Sequence, residues 1–408
     1  LFIALLACGQ AAWAGALSYA RALELAQQTA PQAQMAQANL AAARAQAIPA
    51  GALPDPKLAL ALDNFPISGP TRNSLTADFM TMRRIGISQD VPNQDKRAAR
   101  VAGALARIEQ SEATQRATWR MLRLEAAKAW LKRYNIEQQL AQIAQLQAEN
   151  QRFAKVVQAQ LTSGRGAASD SILPRQEAAM LDERREELET RRTIALASLR
   201  RWIGAAADDN LEGKPPQWQL NKDKFEHDLP SHPEVQVNQA MTRALAAELA
   251  EARADKKPDW GVELAYQQRG SQFGDMISVQ FNIGLPLWPG QRQDPKIAAK
   301  AAERSALEQE GAAMRAEHVQ KLTQDWAELE HIGHAIDRTR RVFQPLAQQK
   351  VELTLAAYQS GKGLLLEVMT ARREALEWQL KQIMQEGEQD LLAAQILLTY
   401  QNESGGQP

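Results

Sequence analysis

Along most of the chain, apolar residues recur every three or four positions among Ala, Gln, Glu and Arg, as in Leu122, Ala126, Ala129, Arg133, Ile136, Leu140 and Ile143. That spacing predicts long helices packed in a coiled-coil-like manner. Two stretches break it. In DMISVQFNIGLPLW, starting at Asp275, the residues Ile277, Val279, Phe281, Ile283 and Leu285 alternate with Ser278, Gln280, Asn282 and Gly284. Such alternation is a strand with one oily and one polar face. Upstream, Trp260, Val262, Leu264 and Tyr266 alternate with Gly261, Glu263, Ala265 and Gln267. The segment 259–288 is therefore predicted to be a hairpin turning at RGSQFGD. An earlier hairpin, about 57–91, has Leu58, Leu60 and Leu62 alternating with Lys57, Ala59, Ala61 and Asp63, then a long loop FPISGPTRNS. Its return strand is expected over 75–88. Met80, Met82, Arg83 and Arg84 lie there, and the pattern leaves the facing open.

The two halves repeat one another. LTSGRGAASDSILPRQE (161–177) matches YQSGKGLLLEVMTARRE (358–374) at an offset of 197, Gly361 against Gly164. Ser163, Arg165, Gly166, Asp170, Arg175 and Glu177 meet Ser360, Lys362, Gly363, Glu367, Arg372 and Glu374, and Pro92 meets Pro289. A period this long is a duplicated unit, not a solenoid module. Each half predicts an opening helix (32–48; 234–255), a hairpin, a very long helix (94–161; 291–359), a glycine turn and a return helix (170–203; 367–400). Pro295 is tolerable near a helix start, whereas Pro345 should bend or open its helix. The expected boundaries are 1–14 for a signal remnant, 15–204 for the first repeat with its tip at 162–169, 205–231 for a linker, 232–400 for the second repeat with its tip at 360–366, and 401–408 for a tail. At about 1.5 Å per residue the long helix spans roughly 100 Å, a rod too thin for one globular core.

Charge narrows the partners little: 48 Lys and Arg against 48 Asp and Glu give no argument for nucleic acid. The opening LFIALLACGQAAWAGALS reads as an export signal without its basic front. Two processing routes stay open: cleavage after Ala12-Trp13-Ala14, or lipidation of Cys8 in Leu5-Leu6-Ala7-Cys8. Either predicts a protein that leaves the cytoplasm. Cys8 is the single cysteine, so no internal disulfide can form.

No later run approaches the roughly 20 apolar residues of a membrane helix, but a membrane β-strand needs only about 10 alternating ones. Strands of that length with terminal Trp and Tyr suit a membrane barrel. The alternative is a soluble hairpin packing one face on a core. Four strands cannot close a membrane barrel, and open edges cannot face lipid, so copies must combine: two give eight strands, three give twelve and room for a passage.

The duplicated order of helix, hairpin, long helix, glycine turn and return helix resembles the TolC family of outer-membrane efflux channels over about 18–400. GALPDPKLALALDNFPI and LTADFMTMRRIGISQDVP resemble the heavy-metal-efflux branch, the CzcC-like and CusC-like channels. The resemblance implies a mainly α protein with a membrane β-barrel: a homotrimer whose twelve strands sit in outer-membrane lipid and whose twelve helices form a periplasmic tube. It implies docking to a periplasmic adaptor (a membrane fusion protein) and to an inner-membrane, proton-driven heavy-metal RND pump, the channel doing no chemistry. Ser163, Gly164, Arg165, Gly166, Ser360, Gly361, Lys362 and Gly363 become adaptor-docking tips. Asp170, Tyr358, Glu367 and Arg372 become a pore gate; where the family has a second carboxylate after Glu367, this chain has Thr370.

Other chemistry has thin support. His331 and His334 lie at i, i+3 beside Glu330 and Asp337, candidate metal ligands on what is equally a solvated helix face. Met80 and Met82 could bind a soft cation or simply pack. His227 and His232 flank the linker without ligand spacing. The sequence contains no nucleophile elbow, phosphate loop or HExxH, and no cofactor is expected. A channel for organic compounds or exported polypeptide, and a soluble periplasmic coiled-coil adaptor, remain the alternatives.

Overall fold

The computed structural model describes residues 16–164 and 168–401. In chain order the elements are β1 (Leu17–Ser18), α1 (Tyr19–Thr29), α2 (Pro31–Ala47), β2 (Lys57–Asp63), β3 (Met82–Val91), α3 (Gln94–Thr162) and α4 (Leu173–Ile203). The linker holds β4 (Leu211–Glu212) and α5 (Lys222–Asp228). Then follow α6 (Pro233–Ala254), β5 (Trp260–Gln268), β6 (Met276–Ile283), α7 (Gln293–Arg338), α8 (Gln344–Gln359) and α9 (Leu365–Tyr400). Cys8 and the signal segment 1–14 lie outside the described residues. Two compact units emerge. One is drawn from the residues before Gln37, Arg116–His232 and Arg315 onward; the other from Gln37–Gln115 and Pro233–Met314.

The first unit is helical, with the heptad positions inward. Leu122, Ala126, Ala129, Trp130 and Leu131 of α3 pack with Ala22 and Ala26 of α1, Leu199 and Trp202 of α4, and Ala394 of α9. Arg133 occupies one of these core positions at 1% exposure. Its charge is met by Glu137, 2.7 Å from Nε, and it donates at 2.7 Å to the Ala207 carbonyl, which is how a buried guanidinium becomes tolerable. Further along, Ile143, Leu181, Leu188 and Leu380 form one cluster, and Val157, Leu365, Val368 and Met369 another. Local chemistry sets helix ends: Ser18 accepts from the Arg21 amide at 3.3 Å, and Gly204 closes α4 at φ 66. Pro345 opens its helix as expected. A π-turn over Thr339–Phe343, closed by the Gln344 amide donating to Thr339 O, joins α7 to α8 just before it, where the helical ladder must do without a proline amide.

The second unit carries a four-stranded antiparallel sheet, ordered β2-β3-β5-β6, with helices at its base. The return strand of the first hairpin is Met82–Val91, not 75–88. In 64–81 polar side chains claim the backbone instead: Ser74 Oγ accepts from the Ala77 amide at 2.9 Å, and Asp78 Oδ1 from the Met80 amide at 2.8 Å. Such bonds compete with a ladder. Leu285 also falls outside its strand, because β6 ends at Ile283 and Pro286 can offer no ladder donor.

Candidate functional site: a two-faced sheet and a duplicated turn

Register settles the facing that the sequence left open. Leu58, Leu60 and Leu62 stand opposite Ile87, Ile85 and Arg83, and Ile85, Ile87 and Val91 opposite Tyr266, Leu264 and Trp260. In turn Trp260, Val262, Leu264 and Tyr266 face Ile283, Phe281, Val279 and Ile277. Apart from Arg83, Gln89 and Gln268, one face is thus apolar across all four strands and open: Leu60 is 73% exposed, Ile277 73% and Phe281 69%. A patch of this extent marks a surface that meets something apolar. Toward the turn, the Tyr266 hydroxyl donates to Asp275.

The opposite face is polar and small. Arg84 lies between two carboxylates, its Nε 3.1 Å from Asp63 Oδ2 and its Nη1 3.0 Å from Glu263 Oε1. A Cβ on Gly86 would come within 3.1 Å of both Glu263 Oε1 and Ala265 Cβ, so these two small residues form the floor on which the pair lies. Lys57 and Asp90 pair at 2.7 Å. At the foot of the sheet, Lys96 bridges Asp255 (2.8 Å) and Asp259 (3.0 Å), while the Asn93 amide donates to Asp259 at 2.8 Å. Burial weakens the Lys96 charge, but the hydrogen bonds it donates to the two carboxylates outweigh this and hold its pKa above the usual range. These bonds tie the start of α3 to the start of β5, fastening the repeats' hairpins side by side.

In the other unit, the duplicated motif forms the same turn twice. Gly164 and Gly361 take φ 72 and 75, a region that disfavours any Cβ. The Gly164 amide donates to Leu161 O at 3.0 Å and the Gly361 amide to Tyr358 O at 3.0 Å; Ser163 and Ser360 likewise donate to Ala159 O at 3.1 Å and Ala356 O at 3.0 Å. Each pair is related by the repeat offset. Arg165 and Gly166 lie outside the described residues. Gly363 is packed against Ala357, 3.0 Å from where its Cβ would stand.

The four gate residues do not form one cluster within the chain. The Tyr358 hydroxyl donates to Gln160 Oε1 at 2.7 Å. Burial, and then the negative charge of Asp170, push its pKa up. Glu367 accepts the Leu364 amide at 3.3 Å, capping its own helix. The Arg372 guanidinium lies 4.8 Å over the Phe153 ring.

Of the metal candidates, His334 lines a cavity of about 840 Å³ with Tyr134, Asp337, Glu386 and Asp390, and His331 is exposed. Neither belongs, among the described residues, to a group of three ligand atoms within 4.8 Å. Met80 is exposed on the loop and Met82 begins β3. Sequence reasoning missed the contact of His232 with His318, ring centroids 4.1 Å apart with Tyr400 beside both. It also missed the Arg84 triad; Asp63 and Glu263 on predicted polar faces were its only signal, because the facing of Arg84 was left open.

No protein-family model matches the chain, and no curated protein matches it. Solved structures do. A membrane protein from Pseudomonas aeruginosa superposes with a TM-score of 0.80 at 14% identity, over 94% of this chain and 90% of that one. The outer membrane protein VceC of Vibrio cholerae gives 0.78 at 17%, over 93% and 95%. CusC, solved for its folding and transmembrane channel formation, gives 0.75 at 15%, over 94% and 91%. At these identities the likeness is one of fold, and CusC is matched no better than VceC.

Proposed function

We propose that this chain is the subunit of an outer-membrane efflux channel of the TolC type. One observation carries the reading: a sheet of four strands, apolar and exposed on one face, polar on the other, with β2 and β6 unpaired at its edges. In lipid such edges are untenable, because unsatisfied amides and carbonyls cost several kcal/mol each. Four strands are too few to close. Three copies edge to edge make a sealed cylinder of twelve, lipid-facing through Trp260, Val262, Leu264, Tyr266, Ile277, Val279, Phe281 and Ile283, with the polar face inside. The fold shared with outer membrane channels supports the same arrangement, as does the export signal read from the sequence.

The helical unit then extends into the periplasm. Its twin turns at Ser163–Gly164 and Ser360–Gly363 are the ends a periplasmic adaptor grips, and through it an inner-membrane pump. The duct performs no reaction; the pump supplies the energy. In three copies Tyr358, Asp170 and Glu367 ring the axis and close the resting passage, and a ring of carboxylates favours cations. Glu367→Gln should weaken cation preference; unchanged conductance and preference would remove Glu367 from the gate. Heavy-metal cations as cargo rest on the phrases around 51–67 and 75–92. Metal sensitivity of a deletion strain tests that part alone.

The channel reading is tested by fractionation. The protein should be extracted only by detergent from the outer membrane, as an oligomer that runs faster before boiling than its mass allows. A monomer released from the periplasm without detergent would refute it.

A further inference from the structure

The polar face of the sheet has a charge device that the efflux reading does not require. Asp63, Arg84 and Glu263 come from three adjacent strands, β2, β3 and β5, and from both repeats. Arg84 sits between the carboxylates at 3.1 and 3.0 Å, and its side chain is 27% exposed against 33% for Asp63 and 16% for Glu263. Gly86 and Ala265 lie beneath; Ala265 is 1% exposed although its strand position is on an open face. The triad is a fixed, partly desolvated layer on the wall, unlike the loose surface pairs that salt erases.

From this geometry we infer that the Asp63–Arg84–Glu263 triad sets the charge of the barrel wall and is a selectivity filter for small ions, separate from the gate at the helical turns. The inference rests on the channel reading, which turns this face toward the passage. One guanidinium against two carboxylates leaves each chain one negative charge here, since Lys57 and Asp90 cancel one another. Three copies make a ring that enriches cations and repels anions within about a Debye length, roughly 10 Å at 0.1 M salt. Gly86 belongs to the device, because a Cβ there would push Glu263 away from Arg84.

The test is reversal potential across planar bilayers in a dilute KCl gradient, wild type against variants that step the triad's charge. Arg84→Gln leaves two negative charges per chain, wild type one, Glu263→Gln none, and the Asp63→Asn/Glu263→Gln double one positive. The cation-to-anion permeability ratio should fall in that order, by about twofold per step at low salt, with the differences vanishing at 1 M where the Debye length is about 3 Å. If the triad is purely structural, these variants would lower the oligomer's thermal stability and leave the ratio unmoved, and that result overturns the inference. Should Arg84→Gln fail to insert, Glu263→Gln still decides, since Arg84 keeps Asp63. Conducting channels with equal ratios defeat this inference alone; wild-type protein released from the periplasm as a monomer without detergent defeats the channel reading as well.

Discussion

Gly387 offers a test of the helical unit with a sign that can be worked out beforehand. It lies inside α9, where glycine normally costs about 1 kcal/mol relative to alanine, so Gly387→Ala on an open helix would stabilise. Here the position is buried, and the added Cβ would fall onto the Asn135 carboxamide, 2.9 Å from Asn135 Cβ and closer to its head group. Asn135 cannot swing aside freely. Its Nδ2 donates to Ile383 O at 2.5 Å, and its Oδ1 accepts from Gln139 Nε2 at 2.7 Å. Overpacking of this kind costs about 1–3 kcal/mol, and losing the Ile383 bond adds about 1 kcal/mol. Set against the propensity gain of about 1 kcal/mol, Gly387→Ala should destabilise by roughly 1–3 kcal/mol. In an Asn135→Gly background every atom that the new Cβ would meet is gone, and the same substitution should stabilise by about 1 kcal/mol. A double-mutant cycle, read from unfolding in detergent by circular dichroism, should give a coupling of about 3 kcal/mol. Additive effects would refute the close approach of α9 to α3 at this point.

Other expectations follow from the same structure. Gly164→Ala and Gly361→Ala force a Cβ into a left-handed turn with open space around it, at about 1–2 kcal/mol each, and Asn should be milder than Ala; denaturant titration reads this. Phe281→Arg should cost about 2–4 kcal/mol and block membrane insertion, whereas Gln280→Arg on the opposite face should insert, as judged by heat-modifiable mobility. Asp390 has its pKa raised, first by burial and then by Glu386, against a 2.7 Å hydrogen bond from Trp218 Nε1. The native state therefore binds its proton more tightly than the unfolded one. Stability is lost as pH rises from the ordinary carboxylate value through the raised one, so Asp390→Asn should raise the melting temperature at pH 7, and the gain should vanish at acid pH.

How much of this was legible in the sequence depends on the range of each interaction. The β5–β6 hairpin could be read because its alternation is unbroken and depends only on neighbours. The turns were legible because the chain writes them twice, and Gly164 and Gly361 need the same backbone. Pro345 announced its own disturbance. The first hairpin was misplaced because Arg83 and Arg84 sit side by side, one on each face, and because Ser74 and Asp78 hold the preceding segment in turns. Nothing local says that Arg84 belongs inside; its partner Glu263 arrives from the other repeat. The His232–His318 contact is of the same kind, formed only when α7 packs beside the linker. The gate residues were named by resemblance, and within one chain they serve separate local bonds.

The central claim is that β6 of one copy pairs with β2 of the next. Within a chain these strands are the outer members of the sheet, separated by three strand spacings of about 4.8 Å, some 14 Å, beyond disulfide reach. Cysteine pairs placed on polar-face positions of β2 and β6, such as Ala59 and Ser278 or Ala61 and Gln280, in a Cys8→Ser background, should on oxidation give a covalent ladder that ends at three chains. A chain that stays monomeric at every register tried, or a ladder that runs on past three, would contradict the closed twelve-stranded barrel.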